Sequence, residues 1–312
     1  MSMTELTVAE SSLAHSPLNI SPPTAMSLDW SRRPAAVNVY EWLQTPEVIT
    51  ELVANASPKA AVSLSNLPEV VAFARITKGN ANIGRAVRDL SITVSRSEFF
   101  WNPAGHAAYP SSIQSVLRMT HEVTDLTLLL PWTTPTHIFF LVRFPNLSFF
   151  KTNLPHEKIK PFVSAHNDVL SVLVLDSCQS DGDCPLAGIA LDCLTQLECD
   201  VHCASSLMHN NVTHLQIANN SPQFSVPVLF RQLMAPFHDL YNLTLDFYPA
   251  DIDILRAISL VAPRLRKLKL VEKPIHVGRR ISIRRPFNDH VSWYRDLRKL
   301  PLLEELALRT TA

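Results

Sequence analysis

One spacing constrains this chain more than any other. The pattern L-x-x-L-x-L, with leucine-type residues in its three slots, recurs nine times along 312 residues. The triplets are Val87/Leu90/Ile92, Val123/Leu126/Leu128, Phe144/Leu147/Phe149, Leu170/Leu173/Leu175 and Leu194/Leu197/Cys199. Val212/Leu215/Ile217, Leu240/Leu243/Leu245, Leu265/Leu268/Leu270 and Leu303/Leu306/Leu308 complete the series. Their starts lie between 18 and 38 residues apart, mostly in the twenties. The last two slots of each triplet alternate as a strand does, so both side chains point to one face. A unit this short cannot bury that face alone. Identical units must stack, each supplying the next with a wall.

The segments between triplets carry helical signals. Ile113, Val116 and Leu117 share one helical face, as do Ile252, Leu255, Ile258 and Val261, and again Val291, Tyr294 and Leu297. A proline (Pro145, Pro236, Pro263 or Pro301) often closes the helix shortly before the strand. Proline removes a helical donor and pushes the residue before it into extended backbone. Each unit therefore reads helix, proline, strand. From about residue 76 onward this arrangement resembles the leucine-rich repeat family, in the variety with outer helices. The resemblance implies an α/β leucine-rich repeat solenoid, a horseshoe with parallel strands on the concave face and helices on the convex face. The family's asparagine after the third leucine is mostly missing, with Asn219 and Asn220 nearest to it. The two longest gaps, 36 and 38 residues, imply insertions or a hidden repeat.

Three regions follow. Residues 1–36, rich in Ser, Thr and Pro, read as a disordered tail. Residues 37–76 read as a helical module, and residues 77–312 as the repeats. In the module, Thr45-Pro46-Glu47 is a helix start, with the apolar stripe Val48, Ile49, Leu52 and Val53 behind it. Ser57-Pro58-Lys59 reads as the start of a second helix through Ala60, Ala61, Val62 and Leu64. The stretch Leu43–Lys59 resembles the opening of a fungal-type F-box. That resemblance implies binding to a Skp-type adaptor of a cullin–RING ubiquitin ligase, with Pro46, Glu47, Val48, Ile49, Leu52 and Pro58 as the adaptor-binding residues. Ala61-Val62 stands where the motif has a leucine pair, and its closing Val-Cys-x-x-Trp is absent. A helical cap over the first repeat is the alternative.

Other classes are disfavoured. The formal charge is zero, so no global field attracts nucleic acid, and no aromatic stacking pattern accompanies the basic residues. No apolar run approaches a membrane span. The N-terminus lacks a basic segment followed by an apolar one, so a cytoplasmic or nuclear location is expected. Walker, dinucleotide, hydrolase-elbow and zincin motifs are all absent, which points away from an enzyme and from any cofactor. Cys178, Cys184, Cys193, Cys199 and Cys203 crowd into one stretch near His202 and His209. Their number is odd and no C-x-x-C occurs, so the expectation is free thiols and no metal.

With leucines turned to the core, the intervening residues line the concave side. They form an apolar cluster of Leu129, Phe150, Val172 and Val174, then an acidic group of Asp176, Glu198, Asp200 and Asp246, then Lys267 and Lys269. This is the expected substrate-binding face. A basic run from Arg264 to Lys299 lies beside it and suits an acidic partner. The expected function is protein binding, as the substrate-recognition subunit of a Skp–cullin–F-box ubiquitin ligase. Its partners would be the adaptor and a target protein. A repeat scaffold with no ligase role is the alternative.

Overall fold

A computed structural model describes residues 37–38, 60–95, 103–176, 178, 180, 182–208, 211–221, 223–233, 236–274 and 285–311. The proposed tail and the adaptor-binding residues Pro46 to Pro58 lie outside the described residues.

Among the described residues the strands form an eleven-stranded sheet in strict chain order. They are β1 (Val37–Asn38), β2 (Ala60–Leu64), β3 (Val87–Thr93), β4 (Asp125–Leu129), β5 (Phe149–Thr152) and β6 (Val172–Leu175). β7 (Gln196–Asp200), β8 (His214–Ala218), β9 (Asn242–Phe247), β10 (Lys267–Glu272) and β11 (Glu305–Arg309) follow. All neighbouring pairs are parallel. Parallel neighbours need a crossover, and here helices supply most of them. These are α1 (Leu67–Gly79), α2 (Ala81–Ala86), α3 (Pro103–Met119), α4 (His156–Ser164), α5 (Val201–Leu207), α6 (Val226–Gln232), α7 (Ile254–Val261) and α8 (His290–Leu297). The fold is an α/β leucine-rich repeat solenoid.

Register explains the core. Leu90, Leu126, Phe150, Leu173, Leu197, Leu215, Leu243 and Leu268 stand side by side and are all buried. Two residues on, Ile92, Leu128, Thr152, Leu175, Cys199, Ile217, Leu245 and Leu270 make a second buried row. Each fully buried leucine or isoleucine contributes about 1.5–3 kcal/mol, and every one touches a neighbouring repeat. In β11 the corresponding Leu306 and Leu308 are only half-buried.

Three sequence expectations change. In β5, Phe150 rather than Phe149 pairs with Leu126 and Leu173, so the third triplet is Leu147/Phe150/Thr152. A threonine in the third slot hid it. Thr152 is buried, and its Oγ1 accepts a hydrogen bond from the Leu154 N–H at 3.1 Å, so the polar atom is satisfied there. Phe150 consequently belongs to the core and not to the concave face.

The helix expected from Ser57 through Leu64 gives way to strand β2 from Ala60. Val62 and Leu64 pair with Leu90 and Ile92 and are buried, whereas Ala61 and Ser63 alternate outward. A register shift between Ala60 and Ala61 shortens this triplet by one residue, which broke the spacing. Helix α1 starts only at Leu67, capped by Asn66, whose side chain accepts from the Glu69 N–H at 2.9 Å.

The third change is in α8. Val291 and Tyr294 are 78% and 66% exposed; of the expected face only Leu297 packs inward, joined by Trp293 and Asp296. Lys299 Nζ answers the Asp296 carboxylate at 2.7 Å, which lets an acid occupy the inner side. The long gaps hold insertions, because β3 pairs directly with β4 and β10 with β11.

Candidate functional site

The inner face of the sheet forms an open groove of about 750 Å³ running across β3 to β11. Strand alternation gives it two rows. One passes through Phe149, Val172, Gln196, His214, Asn242, Lys267 and Glu305. The other passes through Ser91, Thr127, Lys151, Val174, Glu198, Gln216, Thr244, Lys269 and Ala307.

Of the residues expected on this face, Leu129, Val172, Val174, Glu198, Lys267 and Lys269 line the groove. Phe149 takes the place assigned to Phe150, so the central apolar cluster is Leu129, Phe149, Val172 and Val174. The register slip also brings in Lys151, which places a cation within that cluster. Asp176, Asp200 and Asp246 do not line the groove. Asp200 caps α5, accepting from the His202 N–H at 3.0 Å. Asp246 pairs with Lys273 at 2.9 Å and accepts from the Asn219 N–H at 3.3 Å.

Charge in the groove is partly matched internally. Gln216 Nε2 donates to Glu198 at 3.0 Å, and Lys267 Nζ lies 3.0 Å from Glu305. Lys269 has no ion-pair partner among the described residues. Partial desolvation on the groove face lowers the pKa of His214 below its ordinary 6.5.

The basic run is less free than its composition suggested. Arg266 pairs with Glu304 at 3.5 Å, Arg285 with the buried Glu272 at 3.2 Å, and Lys273 and Lys299 are paired as above. Two of these acids, Glu304 and Asp246, come from neighbouring repeats, out of reach of a local sequence window. Arg279, Arg280 and Arg284 lie outside the described residues.

A second constellation sits past the C-terminal ends of β5, β6 and β7. His156, the first residue of α4, meets Cys178 and Cys184 from the loop after β6, and Cys203 from α5. Their potential ligand atoms all lie within 4.8 Å of one another. His156 Nδ1 is 3.3 Å from Cys184 Sγ and 3.5 Å from Cys203 Sγ. Cys203 hydrogen-bonds the Cys184 sulfur, and with His156 it pulls the Cys184 thiol down to about 4 against the opposing effect of burial. The same bond, with burial, pushes Cys203 up. Burial raises Cys178, opposed by the backbone N–H of Ser180. Cys199 is in the leucine row, and Cys193 is exposed, its thiol donating to the Asp168 carbonyl at 3.0 Å. His202 turns instead to the Gly182 carbonyl at 2.7 Å. Sequence reasoning missed His156, 22 residues before Cys178 and in another repeat.

Two solved structures show a distant likeness to this chain. LegL7 from Legionella pneumophila, a leucine-rich repeat-containing protein, is 14% identical, with a TM-score of 0.44 over 81% of this chain and 85% of that one. A chain from the Rad7 and Elc1 complex in yeast is 10% identical, with a TM-score of 0.35 over 86% of this chain and 76% of that one. No family model and no curated protein matches the sequence. No described helix is long and apolar enough to cross a membrane.

Proposed function

We propose that this chain is a protein-binding leucine-rich repeat protein that holds a partner in its concave groove. One observation carries the reading: Leu129, Phe149, Val172 and Val174 come together in the groove at β4 to β6, with Lys151 and Glu198 beside them. Apolar residues gathered on a concave surface and ringed by charge are the usual make-up of an interaction site. The chain's part in this reading is to hold a partner. Val174→Asp tests this. It places a charge in the apolar centre without touching the leucine rows. It is expected to abolish partner capture while the sheet's circular dichroism is unchanged. Capture equal to the parent's would refute the groove as the site.

The finer reading is substrate recognition for a Skp–cullin–F-box ubiquitin ligase in the cytoplasm or nucleus. It rests on the resemblance of Leu43–Lys59 to the F-box opening, with Pro46, Glu47, Val48, Ile49, Leu52 and Pro58 as the adaptor contacts. A target held in the groove would then be kept at high local concentration beside the catalytic subunits. Leu52→Asp should abolish binding of a purified Skp-type adaptor and leave the repeats folded. Adaptor binding undiminished in Leu52→Asp, or absent in the parent, would favour a scaffold with no ligase role.

A further inference from the structure

We propose that His156, Cys178, Cys184 and Cys203 form a structural zinc site that ties three successive repeats together. Three thiolates and one imidazole are a standard structural zinc set. With Zn–S of about 2.3 Å and Zn–N of about 2.0–2.1 Å, a tetrahedral ion holds its sulfur and nitrogen ligands about 3.5 Å apart. The two sulfurs nearest His156 Nδ1 stand at 3.3 and 3.5 Å. The whole set lies within 4.8 Å, so sub-ångström shifts bring every ligand to one centre.

Three further observations favour a ligand set over a chance meeting of small residues. The ligands come from three different repeats, after β5, β6 and β7, and still converge. The imidazole turns one nitrogen, Nδ1, to two of the sulfurs, as a ligand to a shared ion would. The loop cysteines share a local geometry: each sulfur meets the backbone N–H of the residue two positions on, Ser180 for Cys178 and Leu186 for Cys184. Such amides stabilise sulfur as the thiolate, the form a metal needs. A nucleophile would need access, whereas His156, Cys184 and Cys203 are all buried.

The fold has a use for such a tie. The crossover from β6 to β7 has no helix, unlike those on either side of it. An ion there would anchor the loop that replaces the helix, to α4 on one side and α5 on the other. Soft thiolates select zinc over the hard cations magnesium and calcium. Loading would release the remaining thiol protons to solvent, so affinity should fall in acid.

The test is metal analysis of the full chain, purified reduced from zinc-supplemented medium. About one zinc per chain is expected, removed by chelator and restored by Zn²⁺. Co²⁺ in its place should give the visible ligand-field bands of a tetrahedral thiolate–imidazole site. Cys184→Ser should lose the ion, while Cys193→Ser and Cys199→Ser keep it. If Cys184→Ser does not fold, the metal count and cobalt spectrum of the intact chain decide. No stoichiometric zinc, an octahedral cobalt spectrum, zinc retained in a folded Cys184→Ser, or a thiol count showing a disulfide among these cysteines would each overturn the proposal.

Discussion

His166 is buried between Phe144 and Phe162, with its ring 4.3 Å from that of Phe162. The Phe144 N–H donates to its Nε2 at 3.0 Å, and its Nδ1 donates to the Phe162 carbonyl at 2.7 Å. The bond accepted at Nε2 requires the neutral ring, and burial lowers the pKa below the ordinary 6.5 against the opposing pull of the Phe162 carbonyl. Below about pH 6.5 the unfolded chain therefore takes up a proton that the native chain resists, and stability falls as pH falls. Above that value the effect disappears. His166→Gln should flatten the loss of melting temperature between neutral and mildly acid pH. An unchanged slope would mean that other groups, His214 among them, carry it. Gly84 gives a second residue-scale prediction. A Cβ there would collide with the backbone carbonyl of Met119, where α2 meets the end of α3. Gly84→Ala should cost about 1–3 kcal/mol by overpacking, measured by chemical denaturation.

Single elements show how much of this fold the sequence discloses. Leucine periodicity locates nine strands, eight of them in register, because the buried slots demand apolar side chains at fixed spacing. It fails at β2, where a register shift removes one residue, and at β5, where Thr152 fills an apolar slot by satisfying its hydroxyl locally. Where the triplet was legible the groove was too, except at the third outward position of β6, β7 and β9, where Asp176, Asp200 and Asp246 fall outside it. The substitution of Phe149 for Phe150 follows from one misplaced slot, because a one-residue slip inverts a strand's faces. The His156–cysteine cluster was not legible, since its members meet only through stacking of repeats. Stacking also makes an energetic prediction. Leu173 in β6 is enclosed by neighbours on both sides, whereas Leu306 in β11 is half-buried. Leu173→Ala should cost about 2–5 kcal/mol, and Leu306→Ala distinctly less. Equal costs would contradict the graded packing.

At the scale of the whole molecule, eleven parallel strands present one continuous inner face, and the chain's chemistry is distributed along it. Apolar contacts concentrate at β4 to β6, acid and amide at β7 and β8, and cations at β10. A partner of matching pattern would lie across several repeats at once, each contributing a little. Its binding should therefore weaken gradually under groove-edge substitutions such as Lys269→Glu, and fail at the apolar centre. The most direct test of concave binding is site-specific photo-crosslinking with the full chain. A crosslinker at Val174 is compared with one at Leu260, an exposed residue of the convex helix α7. The account predicts a crosslinked partner from position 174 and none from 260. Crosslinking to the same partner from 260 alone would contradict it.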